Sequence, residues 1–210
     1  MSKVQAEKDR AIPDVIWATP LYEFLRQCNA SSLEKRLLDC GAGGSEPPLS
    51  LFCQYGYETF GVEIATEALD KASQFCREKD MSLSIFRGDM RKIPFASESF
   101  SFVYSFNAIF FMTKPDIAQA MREMERVLMP EGLVYVNFIS VDEPDSGPFC
   151  ETAPARDLLK SERFAQHEDD EADAYFEAFE IQRKEKRIID KAHGSGRLLQ
   201  VYIEYIARKA

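Results

Sequence analysis

The chain has 210 residues, 45% hydrophobic and 29% charged, the balance of a globular protein able to bury one sizeable core. Its 35 acidic residues outnumber 26 basic ones, and the formal charge of -9 disfavours a nucleic-acid backbone or an anionic membrane as partner while suiting a neutral or cationic small molecule. Five cysteines without a Cys-x-x-Cys pair indicate neither a disulfide framework nor a metal site, and no apolar leader or membrane-spanning run is present, so a cytoplasmic protein is expected.

Residues 11–35 carry Trp17, Leu21, Tyr22, Phe24 and Leu25 around Pro13 and Pro20, which predicts one or two short amphipathic helices capping a sheet. Trp17 and Tyr22 are expected to be packed aromatics first and lining of a pocket second. Leu37 and Leu38 end an apolar strand closed by Asp39, and Gly41, Gly43 and Gly44 then turn the chain toward a helix. Three glycines in four positions cost folding entropy, and a turn without side chains lets backbone approach a ligand. A dinucleotide fingerprint read from Gly41 requires glycine at position 46, where Glu46 stands and would repel a pyrophosphate. A cationic nucleoside fits better.

Pro47 and Pro48 suit a first helical turn and Gly56 a stop. Phe60 to Ile64 reads as a second strand with Glu63 at its tip, where an acid can hold a ribose diol. From Thr66, a predicted N-cap, Ala68, Leu69, Ala72, Phe75 and Cys76 keep helical spacing. Leu83 to Phe86 is a third strand leading into Asp89, and Phe100 to Phe106 a fourth, apolar enough for burial on both faces. Ile117, Ala120, Met121, Met124, Val127 and Leu128 form a core-facing stripe before a fifth strand over 133–141.

This alternation specifies an α/β fold, a doubly wound Rossmann-like sheet, mostly parallel, with helices on both faces. Ligands of such sheets lie outside the carboxyl ends of the strands, and Asp39, Glu63, Asp89 and Ser105 occupy those ends. Residues 142–173 shift to Pro, Ser, Asp and Glu, the composition of a lid or a surface excursion, and 142–178 is read as a variable loop and helix. Its acidic run is read as a solvated helix start. Residues 179–190 and 198–207 are expected to pair around a glycine-containing turn, so that seven strands end in an antiparallel hairpin, with Arg183, Lys184, Lys186 and Arg187 on an exposed face. His167 and His193 are expected at the surface. A single domain over 1–210 is expected, with capping helices in 1–35, a cofactor-binding core in 36–141 and the hairpin in 179–210.

Four segments in order resemble the class I S-adenosylmethionine-dependent methyltransferases, in particular small proteins of the type 11-like group. Leu37-Leu38-Asp39-Cys40-Gly41-Ala42-Gly43-Gly44 is similar to their glycine-rich motif, and Gly61-Val62-Glu63-Ile64 to their ribose-binding strand end. Gly88-Asp89-Met90-Arg91-Lys92-Ile93-Pro94-Phe95 resembles their adenine-contacting segment, and Arg126 to Gly132 the turn before strand five. Ser45, Ser101 and Phe110-Phe111 depart from the pattern, standing where glycine, an acid and histidine are common. The resemblance implies S-adenosyl-L-methionine as cofactor, held by Asp39, Gly41, Ala42, Gly43, Glu63, Ile64, Asp89, Met90 and Ser105. It implies in-line methyl transfer to a small-molecule acceptor, without an assigned catalytic side chain, since a sulfonium methyl needs orientation and dryness more than a base. A non-catalytic cofactor-binding module and, less well matched, a nicotinamide-dependent oxidoreductase are the other readings of the same residues.

Overall fold

The computed structural model describes residues 20–143, 165–193 and 196–210. Trp17, most of the 142–173 segment and the tip of the hairpin turn lie outside the described residues. The elements run α1 (Pro20–Ala30), β1 (Arg36–Cys40), α2 (Leu49–Gln54), β2 (Glu58–Glu63), α3 (Thr66–Lys79), β3 (Ser84–Arg87), β4 (Phe100–Ser105), a 3-10 turn (Ile109–Phe111), α4 (Lys114–Val127) and β5 (Leu128–Ser140). After these come β6 (Gln166–His167), a 3-10 helix (Glu171–Phe176), β7 (Phe179–His193) and β8 (Gly196–Lys209). Among the described residues no helix is long and apolar enough to cross a membrane.

The strands form one sheet in the order β3-β2-β1-β4-β5-β8-β7, with β6 paired to β5 beside that path. Pairing is parallel from β3 through β5 and antiparallel for β5–β8 and β8–β7. The chain thus leaves β1 in two opposite directions, toward β2 and, later, β4. That reversal opens a crevice at the carboxyl ends of the two strands. The two-residue β6 makes eight strands where seven were expected, because its pairing of Gln166 with Ile139 and His167 with Ser140 is too short to leave an apolar period in the sequence.

Both faces of the sheet are covered. Leu21, Phe24, Leu25 and Cys28 of α1 and Leu49 and Phe52 of α2 pack on Leu37, Phe102, Tyr104 and Tyr135. On the other side Ile117, Ala120, Met121, Met124 and Val127 of α4, with Ala172 and Phe176, pack on Leu38, Val103, Val134 and Phe138. All six residues of β4 are buried, as its continuous apolar run requires. Tyr22 is partly buried and packs against the α1 cluster.

Three boundaries differ from those read in the sequence. Pro47 and Pro48 precede α2, which starts at Leu49 with Pro48 as its N-cap, so Glu46 is not in a first helical turn. Ala65, not Thr66, caps α3. β5 begins at Leu128 opposite Phe100 and absorbs the expected turn as a bulge, with Glu131 at φ 62, before Leu133 resumes opposite Phe102. Of the basic residues of β7 only Lys186 is exposed, Arg183, Lys184 and Arg187 being half-buried, and all four are paired: Lys184 with Asp170 and Asp173, Lys186 with Asp142 and Asp169, Arg183 with Glu185 and Glu23, and Arg187 with Glu204. The acidic run after β6 is therefore fastened to the hairpin.

Candidate cofactor site

A cleft of about 780 Å³ opens where the sheet reverses, within the range of small-molecule sites. Its floor is Gly41, Gly43 and Gly44 after β1, one wall is Val62 to Ala65 with Ala68, and another is Gly88 to Arg91 after β3. Asn107, Ala108, Phe111, Met112, Thr113 and Asp116 close it on the β4 side.

The glycine loop is shaped by what its backbone must avoid. Gly41 sits at φ +105, and a Cβ there would lie 2.3 Å from Ala108 Cβ. At Gly43 a Cβ would meet Ala68 Cβ at 2.5 Å and Glu63 Oε2 at 2.8 Å. The loop also uses its own donors: the Gly41 and Ala42 amides bond Val62 O at 2.9 and 3.1 Å, Gly44 N bonds Ala68 O at 2.9 Å, and Gly43 N donates to Glu63 Oε2 at 3.1 Å. A phosphate-binding loop works through free amides. Here all four amides from 41 to 44 are engaged, which disfavours a pyrophosphate on this loop and with it a dinucleotide.

Glu63 is held from two sides. Oε1 accepts from the Ala65 amide at 2.8 Å while Oε2 takes the Gly43 bond, so the carboxylate is fixed at the β2 tip with one lone pair on each oxygen in reserve. Beside it Ile64 is 57% exposed, and Met90 on the other wall is half-buried, both apolar surfaces of the cleft.

Asp89 is held differently. Its Oδ1 accepts from Arg91 N and Nε at 2.8 and 3.0 Å, and its Oδ2 from Nε and Nη2 at 3.0 and 2.6 Å. The guanidinium beside it holds the Asp89 carboxyl below its ordinary range. Arg91 reaches on to Asp116 Oδ1 at 3.0 Å, and Asp116 Oδ2 takes the Thr113 hydroxyl at 3.0 Å, which ties the turn after β3 to the start of α4. Behind it Arg126 donates to Ile93 O and Phe95 O, both at 2.9 Å, fixing the Gly88–Phe95 segment on α4.

The cleft gathers Gly41, Gly43, Glu63, Ile64, Asp89 and Met90 of the nine residues read from the sequence. Asp39, Ala42 and Ser105 lie beneath its floor, each at most 1% exposed. Ser105 Oγ donates to Cys40 O at 2.8 Å, joining β4 to β1. Asp39 Oδ2 accepts from Tyr104 OH at 2.6 Å, its Oδ1 is buried without a hydrogen-bond partner, and burial pushes its pKa up to about 8. A neutral Asp39 under the floor leaves Glu63 as the anionic group beside the glycine loop.

Arg91, within the segment that resembles the adenine-contacting one, Asn107, at the strand end expected to open onto the cofactor, and Phe111 line the cleft, as do Met112, Thr113 and Asp116, for which the sequence suggests no site role. Thr113-x-x-Asp116 before the Ile117 stripe is a capping box in the sequence, and Thr113 does cap α4. Asn107, at φ 53, is clamped by Asn137, whose Oδ1 accepts from Asn107 N at 2.8 Å and whose Nδ2 donates to Asn107 Oδ1 at 2.7 Å. His167 corrects the surface assignment: it is fully buried in β6 against Phe138, with Nε2 3.1 Å from Tyr175 OH. Burial, then the nearby Lys114 charge, lowers its pKa to about 4.

Residues 38–136 match a family profile described as a methyltransferase domain. The chain is 33% identical over 120 residues to the uncharacterized methyltransferase YcgJ of Bacillus subtilis, covering 56% of this chain and 45% of that protein. It is 30% identical over 108 residues to methyltransferase GfsG of Streptomyces halstedii, covering 50% and 38%. The matched stretch thus spans less than half the length of these curated relatives. In structure it resembles YcgJ with a TM-score of 0.61 at 17% identity, over 90% of this chain and 98% of the other. A S-adenosylmethionine-dependent methyltransferase of Methanosarcina mazei matches with a TM-score of 0.66 at 18% identity, over 91% and 97%. The fold is theirs, and what residues 38–136 and these relatives match is the class I S-adenosylmethionine-dependent methyltransferase superfamily.

The cofactor of that superfamily is S-adenosylmethionine, and the cleft residues fit it. The Glu63 carboxylate is acceptor-only and suits a diol, and Ile64 and Met90, on the two walls, are apolar surfaces that suit a planar base. The spent amides of 41–44 suit a ligand without phosphates.

Proposed function

We propose that the protein transfers the methyl group of S-adenosylmethionine to a small-molecule acceptor, with the chain supplying position and dryness rather than a dedicated base. The observation that carries this reading is the Glu63 carboxylate, fixed by the Gly43 and Ala65 amides beside a glycine loop with no free amide for phosphate.

Bound S-adenosylmethionine supplies a methyl group already activated by its sulfonium. Glu63 then has the task of holding the ribose. Ile64 and Met90 flank the base, and Asp89 meets its edge. Phe111, 47% exposed at the cleft wall, and Met112 exclude water near the transfer region, where orientation alone supplies several kcal/mol. Asn137 keeps Asn107 in place at the β4 end of the cleft and so fixes the boundary between cofactor and acceptor.

The net charge of -9 supports a small neutral or cationic acceptor over nucleic acid. Among the described residues Cys28, Cys40, Cys53 and Cys76 are free thiols, which suits a reducing cytoplasm. The test is transfer of isotopically labelled methyl from S-adenosylmethionine in a desalted extract, followed by separation of small molecules from macromolecules. Label in the small-molecule fraction, dependent on the added protein, is the expected result. Label confined to nucleic acid or protein contradicts the acceptor class, and no transfer despite cofactor binding contradicts the catalytic reading.

A further inference from the structure

Asp89 has no room for another donor. Three N–H groups of Arg91 make four contacts with its two oxygens, between 2.6 and 3.0 Å, and a carboxylate offers about four lone-pair sites. Asp116 is in the opposite condition: one oxygen takes Arg91 Nη1 and the other the Thr113 hydroxyl, so each keeps a lone pair in reserve. Arg91 lies between the two acids with both in contact, and all three line the cleft. A fork-shaped guanidinium can exchange one carboxylate for the other by a small rotation, keeping a charge-assisted partner throughout.

We propose that Arg91 is a gate on recognition of the cofactor's base. It occupies Asp89 until an exocyclic amino group displaces the guanidinium, which then turns wholly to Asp116. The inference rests on the cofactor reading above. A 6-amino group competes with Arg91 for Asp89. A 6-oxo group does not compete, because it can accept from Arg91 left in place. The wild-type site therefore discriminates weakly between the two bases. Without Arg91, a bare Asp89 carboxylate welcomes the amino group and repels the oxo group.

The test is calorimetric titration with S-adenosylhomocysteine and S-inosylhomocysteine, which differ in that group and at N1, an acceptor in adenine and an N–H donor in hypoxanthine. In Arg91→Ala the ratio of the two dissociation constants is expected to rise by about tenfold or more over wild type, the scale of one charge-assisted hydrogen bond. Any smaller rise, or a fall, overturns the gate. Asp116→Asn, which removes the charge Arg91 retreats to, is expected to weaken the adenosyl ligand more than the inosyl one; the reverse order also overturns it. If wild type binds neither ligand, the cofactor reading fails and the gate with it. Binding by wild type with an unchanged ratio in Arg91→Ala sinks the gate alone.

Discussion

The Gly43 amide donates to Glu63 Oε2 at 3.1 Å, and the space a Gly43 side chain would fill is the space that carboxylate occupies. Loop and acid therefore constrain each other. In Gly43→Ala the new Cβ would sit 2.5 Å from Ala68 Cβ, which α3 cannot move cheaply, and 2.8 Å from the Glu63 carboxylate, which can swing away. The expected result is a stability loss of about 1–3 kcal/mol, the scale of overpacking, with cofactor binding weakened by about tenfold or more as Glu63 leaves its place. Melting curves and cofactor titration of the variant check both; wild-type values in both would mean the loop yields freely.

His167 makes acid stability a local question. Its pKa is about 4 in the fold against 6.5 ordinarily, so between those values the unfolded chain holds the extra proton. Its contribution is complete above about pH 6.5 and declines as pH falls toward 4, by about 3 kcal/mol at most. Urea unfolding of wild type and His167→Leu at pH about 7.5 and about 4.5 should show the wild type losing about 2–3 kcal/mol relative to the variant on acidification. Parallel losses would place the titration elsewhere.

Asp39 works in the reverse sense. Its carboxyl keeps its proton to about pH 8 in the fold, whereas the unfolded chain releases it near 3.8, so its contribution falls as pH rises through that window. Asp39→Asn cannot ionise and should gain on wild type by about 2–4 kcal/mol between pH 5 and 8. Urea midpoints across that range decide it, and profiles that run parallel would contradict a buried neutral Asp39.

The parts of the fold legible in the sequence were those with long apolar periods. Strands ending beside Asp39, at Glu63 and on the approach to Asp89 announced themselves, as did the α4 stripe from Ile117 to Val127. What escaped depended on partners distant in sequence. His167 sits in a polar stretch, and only its pairing with Ser140 on β5 carries it into the core. Ser105 ends β4 as expected and Asp39 stands one residue before the end of β1, but Cys40 O and Tyr104 claim their side chains below the rim. Arg91 follows immediately on residues that were singled out, and only the fold shows it spanning Asp89 and Asp116, 25 positions apart from the latter.

The central claim is that the Glu63 cleft binds S-adenosylmethionine through its ribose. Calorimetric titration of wild type, Glu63→Gln and Glu63→Ala with S-adenosylmethionine tests it most directly. Gln keeps the shape but loses the charge and one acceptor, so binding about ten- to hundredfold weaker than wild type is predicted, with Ala at least as weak. The melting curves should record only about 1 kcal/mol for the lost Gly43 and Ala65 contacts. Wild-type affinity in Glu63→Ala would contradict the account.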